Sequence, residues 1–273
     1  MKFICNICKS KNVRGIFFGL NWRAIQCMNC SVVYIDSKKT ENYENYHRDD
    51  QYNLSQKIFE NIFLKRYKLI EKYVTKEGKV LDIGCTNGLF LDIFKKHGWD
   101  TYGVEPSKNS ELAIKKGHMV NKNIFEKVNF KSNYFDLIVM NHTLEHIEDP
   151  NLFISLAYKY LKKGGILYID VPNFNSLKSN IAKSRWPYLL PFEHVYQFSE
   201  TPLRILLERN NFEVLTAKSR SGIFEYNSVI LEFKISLFNM QRRLLNTILN
   251  IPYDILATIL NKGDSISVIS YKK

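Results

Sequence analysis

No stretch of this sequence is apolar for long enough to cross a bilayer, which takes about 20 consecutive apolar residues. The most apolar late run, Leu244 to Leu260, is interrupted by Asn246, Asn250, Pro252 and Asp254. The opening residues Met1 to Cys5 lack the apolar segment and small-residue cleavage site of a secretory leader. Low-complexity tracts are missing too, so composition offers no basis for disorder. These absences together predict a cytoplasmic globular protein. Acidic residues are also scarce: 27 Asp and Glu stand against 39 Lys and Arg, a net charge of +12. Such an excess favours anionic partners: a nucleotide-linked substrate, an acidic membrane surface or nucleic acid. The lysines are scattered rather than clustered, which fits a solvated surface better than a nucleic-acid face. With 273 residues, 45% of them hydrophobic, the chain can bury one large core and carry a small accessory module.

Four of the five cysteines form two pairs, Cys5-x2-Cys8 and Cys27-x2-Cys30, with eighteen residues between them. Each pair can sit on a tight knuckle that aims two thiolates at one point, and two knuckles make a closed tetrahedral zinc site. Two disulfides are the alternative, and a reducing compartment would rarely keep them. With four protein ligands and no open position, the expected zinc is structural. Residues 1–36 are too few to bury a core without it. This predicted ribbon lacks a dense basic face and reads as a docking or substrate-side module, with a strand leaving the second knuckle at Ser31–Ile35. Residues 37–76 read as a linker and a packing helix. The tyrosine-rich part, Thr40 to Tyr52, can fold over an active-site mouth, and Ile58, Ile62, Phe63, Tyr67, Ile70 and Val74 recur at helical spacing.

From residue 77 to 273 short apolar strands alternate with amphipathic helices: strands at Val80–Ile83, Trp99–Val104, Phe135–Met140 and Gly165–Val171, helices at Asn87–His97, after Pro106, and at Asn151–Leu161. That alternation predicts a parallel sheet covered on both faces, with ligands beyond the carboxyl ends of its strands. After the first strand, Asp82-x-Gly84-x-x-x-Gly88 lets backbone approach a ligand closely and presents helix N–H groups to a carboxylate. Asp82 can hold an ammonium group there. Glu105, twenty-one residues after Gly84, ends the second strand, where an acidic side chain accepts bonds from ribose hydroxyls. Asn123 and Ile124 can flank an adenine ring, and Asn141 ends the fourth strand beside the same crevice. A dinucleotide fingerprint requires Gly-x-Gly-x-x-Gly; here Thr86 takes the middle place and the spacing differs.

The ordered set Val80–Gly88, Tyr102–Ser107, Phe135–Asn141, Leu144–Pro150 and Leu161–Asp170 resembles the successive motifs of class I S-adenosylmethionine (SAM)-dependent methyltransferases, over roughly residues 75–219. The resemblance implies an α/β fold with a Rossmann-like seven-stranded sheet, its last strand antiparallel at Ser265–Tyr271. The small zinc ribbon would precede this sheet, and a helical insertion at about 224–262, with Pro252 starting a second helix, would interrupt its end. It further implies that Asp82, Gly84 and Gly88 lie along the methionine moiety of SAM, Glu105 on the ribose, Asn123 and Ile124 at the adenine edge and Asn141 on the sulfonium side. Thr86 departs from the usual glycine of the turn. Cys85 reads as a small packed residue. A zinc ribbon before such a core, and the stretch Pro191–Ser199, resemble methyltransferases of bacterial surface-polysaccharide and sugar modification. His142, Glu145 and His146 also resemble, with a changed first residue, the Glu-x-x-Glu-His cation motif of ubiquinone-pathway O-methyltransferases.

The expected reaction is therefore O-methylation of a saccharide, anionic or nucleotide-linked, with His194 as general base, because it follows the fifth strand in a loop returning over the crevice. Arg185, Trp186 and Tyr188 fall in the same long segment, where Arg185 can meet a phosphate. Other small anionic metabolites or lipids, and a non-catalytic zinc-ribbon protein binding SAM or nucleic acid, are the competing readings. Peripheral membrane contact and self-association are compatible with the apolar face of the insertion.

Overall fold

The computed structural model describes residues 3–37, 56–221 and 243–273. The tyrosine-rich linker and the first part of the expected insertion lie outside these residues. Three strands come first: β1 (Val13–Phe18), β2 (Trp22–Cys27) and β3 (Val33–Ser37). Helix α1 (Gln56–Ile70) follows, then an alternation of β4 (Lys79–Ile83), α2 (Leu89–Lys96), β5 (Asp100–Val104), α3 (Ser110–Lys115), β6 (Met119–Asn121), β7 (Phe135–Asn141), α4 (Pro150–Tyr160) and β8 (Leu161–Pro172). The chain ends through α5 (Leu177–Ala182), β9 (Tyr196–Gln197), α6 (Glu200–Arg209), β10 (Phe212–Arg220), α7 (Arg243–Ile259) and β11 (Ser265–Lys272).

Seven strands form one sheet in the order β10-β11-β8-β7-β4-β5-β6. Strands β4 to β8 pair in parallel, and β11 runs antiparallel to both β8 and β10. Period-2 alternation distributes the side chains of the central strands between two cores. Leu81, Ile83, Ile138 and Met140 face one core with Phe153 and Ala157 of α4 and Leu203 and Leu207 of α6. Val80, Leu137, Val139 and Tyr168 face the other with Phe63 and Tyr67 of α1 and Leu91 and Phe94 of α2. Chain order reverses at β4, whose successors β5 and β6 lie on one side and β7 and β8 on the other. A parallel sheet opens a ligand crevice at that switch point.

The other sheet, β1-β2-β3-β9, joins the cysteine module to the segment after β8. Cys5, Ile7, Cys27, Cys30 and Val32 share their core with Val195, Tyr196 and Phe198. Pro252 corrects one expectation. It lies inside α7 instead of starting a second helix; a proline interrupts one i→i−4 bond, and here the helix runs through it.

Candidate active site

The site begins with the turn after β4. Gly84 and Gly88 have φ of +81° and +77°, which side chains rarely adopt. A Cβ on Gly84 would fall 2.6 Å from Thr143 Oγ1, and one on Gly88 2.8 Å from the His118 ring. Thr86, the irregular member of the turn, also takes a left-handed φ of +45°. Its amide donates to Glu105 Oε2 at 3.0 Å, while Ser107 N donates to Oε1 at 2.8 Å. Glu105 thus ties the turn after β4 to the end of β5. Cys85 is buried against Gly103, a packing role.

Asp82 is 3% exposed, and its Oδ1 has no hydrogen-bond partner among the described residues. Burial, and then the charge of Glu105, push its pKa up to about 8. Asn141 Oδ1, at the carboxyl end of the neighbouring strand β7, is likewise buried without a partner among the described residues. Buried polar atoms are almost always satisfied, so two orphans on adjacent strand ends are the atoms that a ligand or an ordered water in the crevice would complete. Asn123 and Ile124 follow β6, whose Asn121 carbonyl accepts from Glu105 N at 3.0 Å; Asn123 is exposed.

Beyond Asn141 the chain turns through His142, at φ +52°, whose amide donates to the Asp170 carbonyl at 2.8 Å. Its Nε2 lies 3.3 Å from Asp170 Oδ1 and its Nδ1 3.4 Å from Glu145 Oε1. Burial alone would lower the His142 pKa; Asp170 and Glu145 outweigh that and raise it to about 9. The ring is cationic at neutral pH and cannot serve as a ready base. Asp170 is 1% exposed and also accepts from Arg66 Nη2 at 2.7 Å, Tyr168 Oη at 3.2 Å and the Ser267 hydroxyl. Burial opposes ionisation of Asp170, yet Arg66 and His142 hold its carboxyl well below the usual range. Sequence reasoning missed this Arg66–Asp170 pair. The available signal was an arginine on the apolar face of α1, flanked by Ile62, Phe63 and Tyr67.

His194 is 2% exposed and closely held: Nδ1 is 2.9 Å from the Tyr188 carbonyl, and the ring meets His146 edge-on with centroids 4.7 Å apart. His146 Nδ1 lies 3.1 Å from the Glu193 carbonyl. Ligand atoms of Glu145, His146 and His194 all fall within 4.8 Å of one another, so the three can hold a cation. Glu145 Oε2 has no hydrogen-bond partner among the described residues, and Oε1 meets the His142 ring only at the 3.4 Å of an ion pair. Burial would raise the Glu145 pKa, but the surrounding histidines, His142 first, bring it to about 2. Of the expected acceptor loop, Trp186 is buried and Arg185 exposed.

In the N-terminal module the thiols of Cys5 and Cys30 are 3.6 Å apart, those of Cys8 and Cys27 3.5 Å, and all four sulfurs lie within 4.8 Å. Zinc–sulfur bonds of about 2.3 Å in a tetrahedron separate the sulfurs by about 3.8 Å, so the cluster has the dimensions of a four-thiolate zinc site.

A doubly covered parallel sheet whose last strand in the chain, β11, inserts antiparallel, a glycine turn and an acidic residue after the second parallel strand define a class I methyltransferase fold. The chain belongs to the methyltransferase-domain family, which matches residues 46–217. A ubiquinone biosynthesis O-methyltransferase of Coxiella burnetii is 33% identical over 119 residues, 40% of this chain and 50% of that one. One from Bartonella quintana is 30% identical over 103 residues, 35% and 41% of the two chains. The match thus spans about half or less of these relatives' length. Among solved structures, a SAM-dependent methyltransferase of Thermotoga maritima, a possible histamine N-methyltransferase, superposes with a TM-score of 0.59 at 21% identity, covering 85% of this chain and 98% of that one. A phosphoethanolamine N-methyltransferase of Haemonchus contortus in complex with SAM also gives 0.59, at 15% identity over 88% and 62%. At those identities the likeness is one of fold.

Proposed function

We propose that this chain is a SAM-dependent O-methyltransferase acting on a hydroxyl of a small saccharide, anionic or nucleotide-linked. The observation that carries the cofactor is the pair of orphaned buried atoms, Asp82 Oδ1 and Asn141 Oδ1, on adjacent strand ends beside Glu105. In this reading Asp82 meets the ammonium group, Gly84 and Gly88 admit the methionine chain, Glu105 accepts from the ribose, Asn123 and Ile124 edge the adenine and Asn141 faces the sulfonium. Bound SAM supplies an activated methyl group. The chain's task is then to align the acceptor oxygen in line with it and to receive the hydroxyl proton, which we assign to His194. Cys5, Cys8, Cys27 and Cys30 hold a structural zinc. The acceptor assignment is supported by the net charge of +12 and by the Pro191–Ser199 stretch.

Calorimetry with SAM, followed by labelled-methyl transfer to a panel of nucleotide sugars, tests this reading. Tight binding with no turnover on any acceptor would instead identify a binding module. His194→Ala is expected to cut turnover by about a hundredfold with SAM affinity kept; unchanged turnover removes His194 as the base.

Asp82 gives a second expected result. Its raised pKa means that the folded protein binds an extra proton between about pH 4 and 8, so free-protein stability falls as pH rises through that window. Asp82→Asn should therefore raise the melting temperature of the free protein at pH 8, by about 2 °C or more, while weakening SAM binding. Melting curves at pH 6 and 8 with and without SAM check it. A variant that melts no higher than wild type at pH 8 contradicts it.

A second acceptor is favoured by one observation, the convergence of Glu145, His146 and His194. A divalent cation there could polarise a phenolic hydroxyl, in keeping with the ubiquinone biosynthesis relatives. Turnover of a catechol that depends on added magnesium or manganese would select this reading.

A further inference from the structure

We infer that the four-cysteine module is a clamp on the 194–198 segment, the acceptor side of the crevice, and that Tyr196 is the positioning residue joining the two. The inference rests on the zinc and acceptor-side readings above. Strand β9 has only two residues, too few to keep its own conformation in water. Its pairing partner is β3, the strand that leaves the Cys27–Cys30 knuckle, in the register Val33 with Gln197 and Tyr34 with Tyr196. Ile35 N donates to the Val195 carbonyl at 2.8 Å, and Val195 N donates in turn to the Glu145 carbonyl at 2.8 Å. One run of backbone bonds therefore passes from the knuckle, through the residue next to His194, to the turn that carries Glu145 and His146.

Side chains repeat the connection. Asn6, between the first two cysteines, donates from Nδ2 to Tyr196 Oη at 2.9 Å, and that hydroxyl donates to the Glu148 carbonyl at 3.3 Å. Asn151 Nδ2, at the start of α4, donates to the Asn6 carbonyl. The Tyr196 ring lies between Tyr34 and Phe198, with centroids 5.7 and 5.8 Å away. Val33 and Ile35 pack with Trp186 and Leu189 of the loop preceding His194. None of these contacts reaches Asp82, Gly84, Gly88 or Glu105. The module should thus stiffen the acceptor half and leave the cofactor half untouched. A segment this small has no core of its own, so its stiffness is set by the metal.

Hydrogen exchange of the full chain, before and after removal of metal with a chelator under reducing conditions, tests the clamp. Metal loss should speed exchange at Ile35 and Val195 by about tenfold or more. The amides of Gly84 and Glu105, bonded within the cofactor half, should be unchanged, and so should SAM affinity. Unchanged protection at Val195, or equal acceleration at Gly84 and Glu105, overturns the proposal. Tyr196→Phe removes the hydroxyl links while keeping the ring, and should speed exchange at Val195 by a few-fold with metal content intact. That variant decides the clamp even if the purified protein holds no zinc, an outcome that would sink the metal reading on its own. Full protection at Val195 in Tyr196→Phe removes Tyr196 as the link.

Discussion

Arg66→Ala is expected to destabilise the protein by about 3–5 kcal/mol, the cost of leaving a buried charge without its partner. Arg66 and Asp170 have side chains 5% and 1% exposed and meet at 2.7 Å. Truncating the arginine leaves the Asp170 carboxylate with Tyr168, Ser267 and His142 in a site that water barely reaches. His142 is itself shared with Glu145, so it cannot replace a guanidinium. The loss would be a large part of the about 5–15 kcal/mol available to a folded domain. Urea unfolding measures it, and a loss below about 1 kcal/mol would contradict the role assigned to the pair. Removing both charges with Arg66→Met and Asp170→Asn should cost less than Arg66→Ala alone, because no uncompensated ion remains. The pH dependence has a definite sign. The native carboxyls of Asp170 and Glu145 titrate below their unfolded values, Glu145 near 2. Their stabilisation is fully present above about pH 5 and is lost as pH falls through the native pKa values.

Glu105→Ala should weaken SAM binding by about a hundredfold or more. Two hydrogen bonds from ribose hydroxyls to a carboxylate contribute about 1.5–3 kcal/mol each, and every 1.4 kcal/mol is tenfold in affinity. The structure adds a second route to the same loss. Both Glu105 oxygens already accept backbone amides, from Thr86 and Ser107. The carboxylate therefore holds Thr86, the one non-glycine residue of the turn with a left-handed φ, at +45°. Without it the turn relaxes, and the cradle proposed for the methionine chain goes with it. Glu105→Gln keeps the shape and one acceptor and should bind SAM more tightly than the alanine variant. Calorimetry on the three proteins distinguishes them, and a change smaller than about fivefold in Glu105→Ala would remove Glu105 from the cofactor site.

Thr86 shows how far sequence reading reaches. Its departure from the glycine pattern was legible; its tether to Glu105 was not, because the two lie nineteen positions apart. The central strands and their helices were legible because each follows from local periodicity and from turn residues within a few positions. The cysteine spacing announced a cluster for the same reason, since each knuckle is a local structure. Pro252 misled because a local helix-breaking rule was outweighed by the continuity of α7. His194 could be placed in a loop after the fifth strand, yet its close holding by Tyr188 and His146 depends on how that loop folds back.

The sequence by itself determined the alternation that makes a parallel sheet, the glycine turn that admits a ligand, the acidic residue after the second strand of that sheet and the paired cysteines. All of these are written in neighbouring residues. Only the tertiary structure decided that Arg66 neutralises Asp170 across 104 positions, that β3 takes β9 as its partner, and that Glu145, His146 and His194 converge. Contacts of that kind arise when packing two faces of a sheet brings distant polar groups out of water, where each must find a partner or cost the fold its stability.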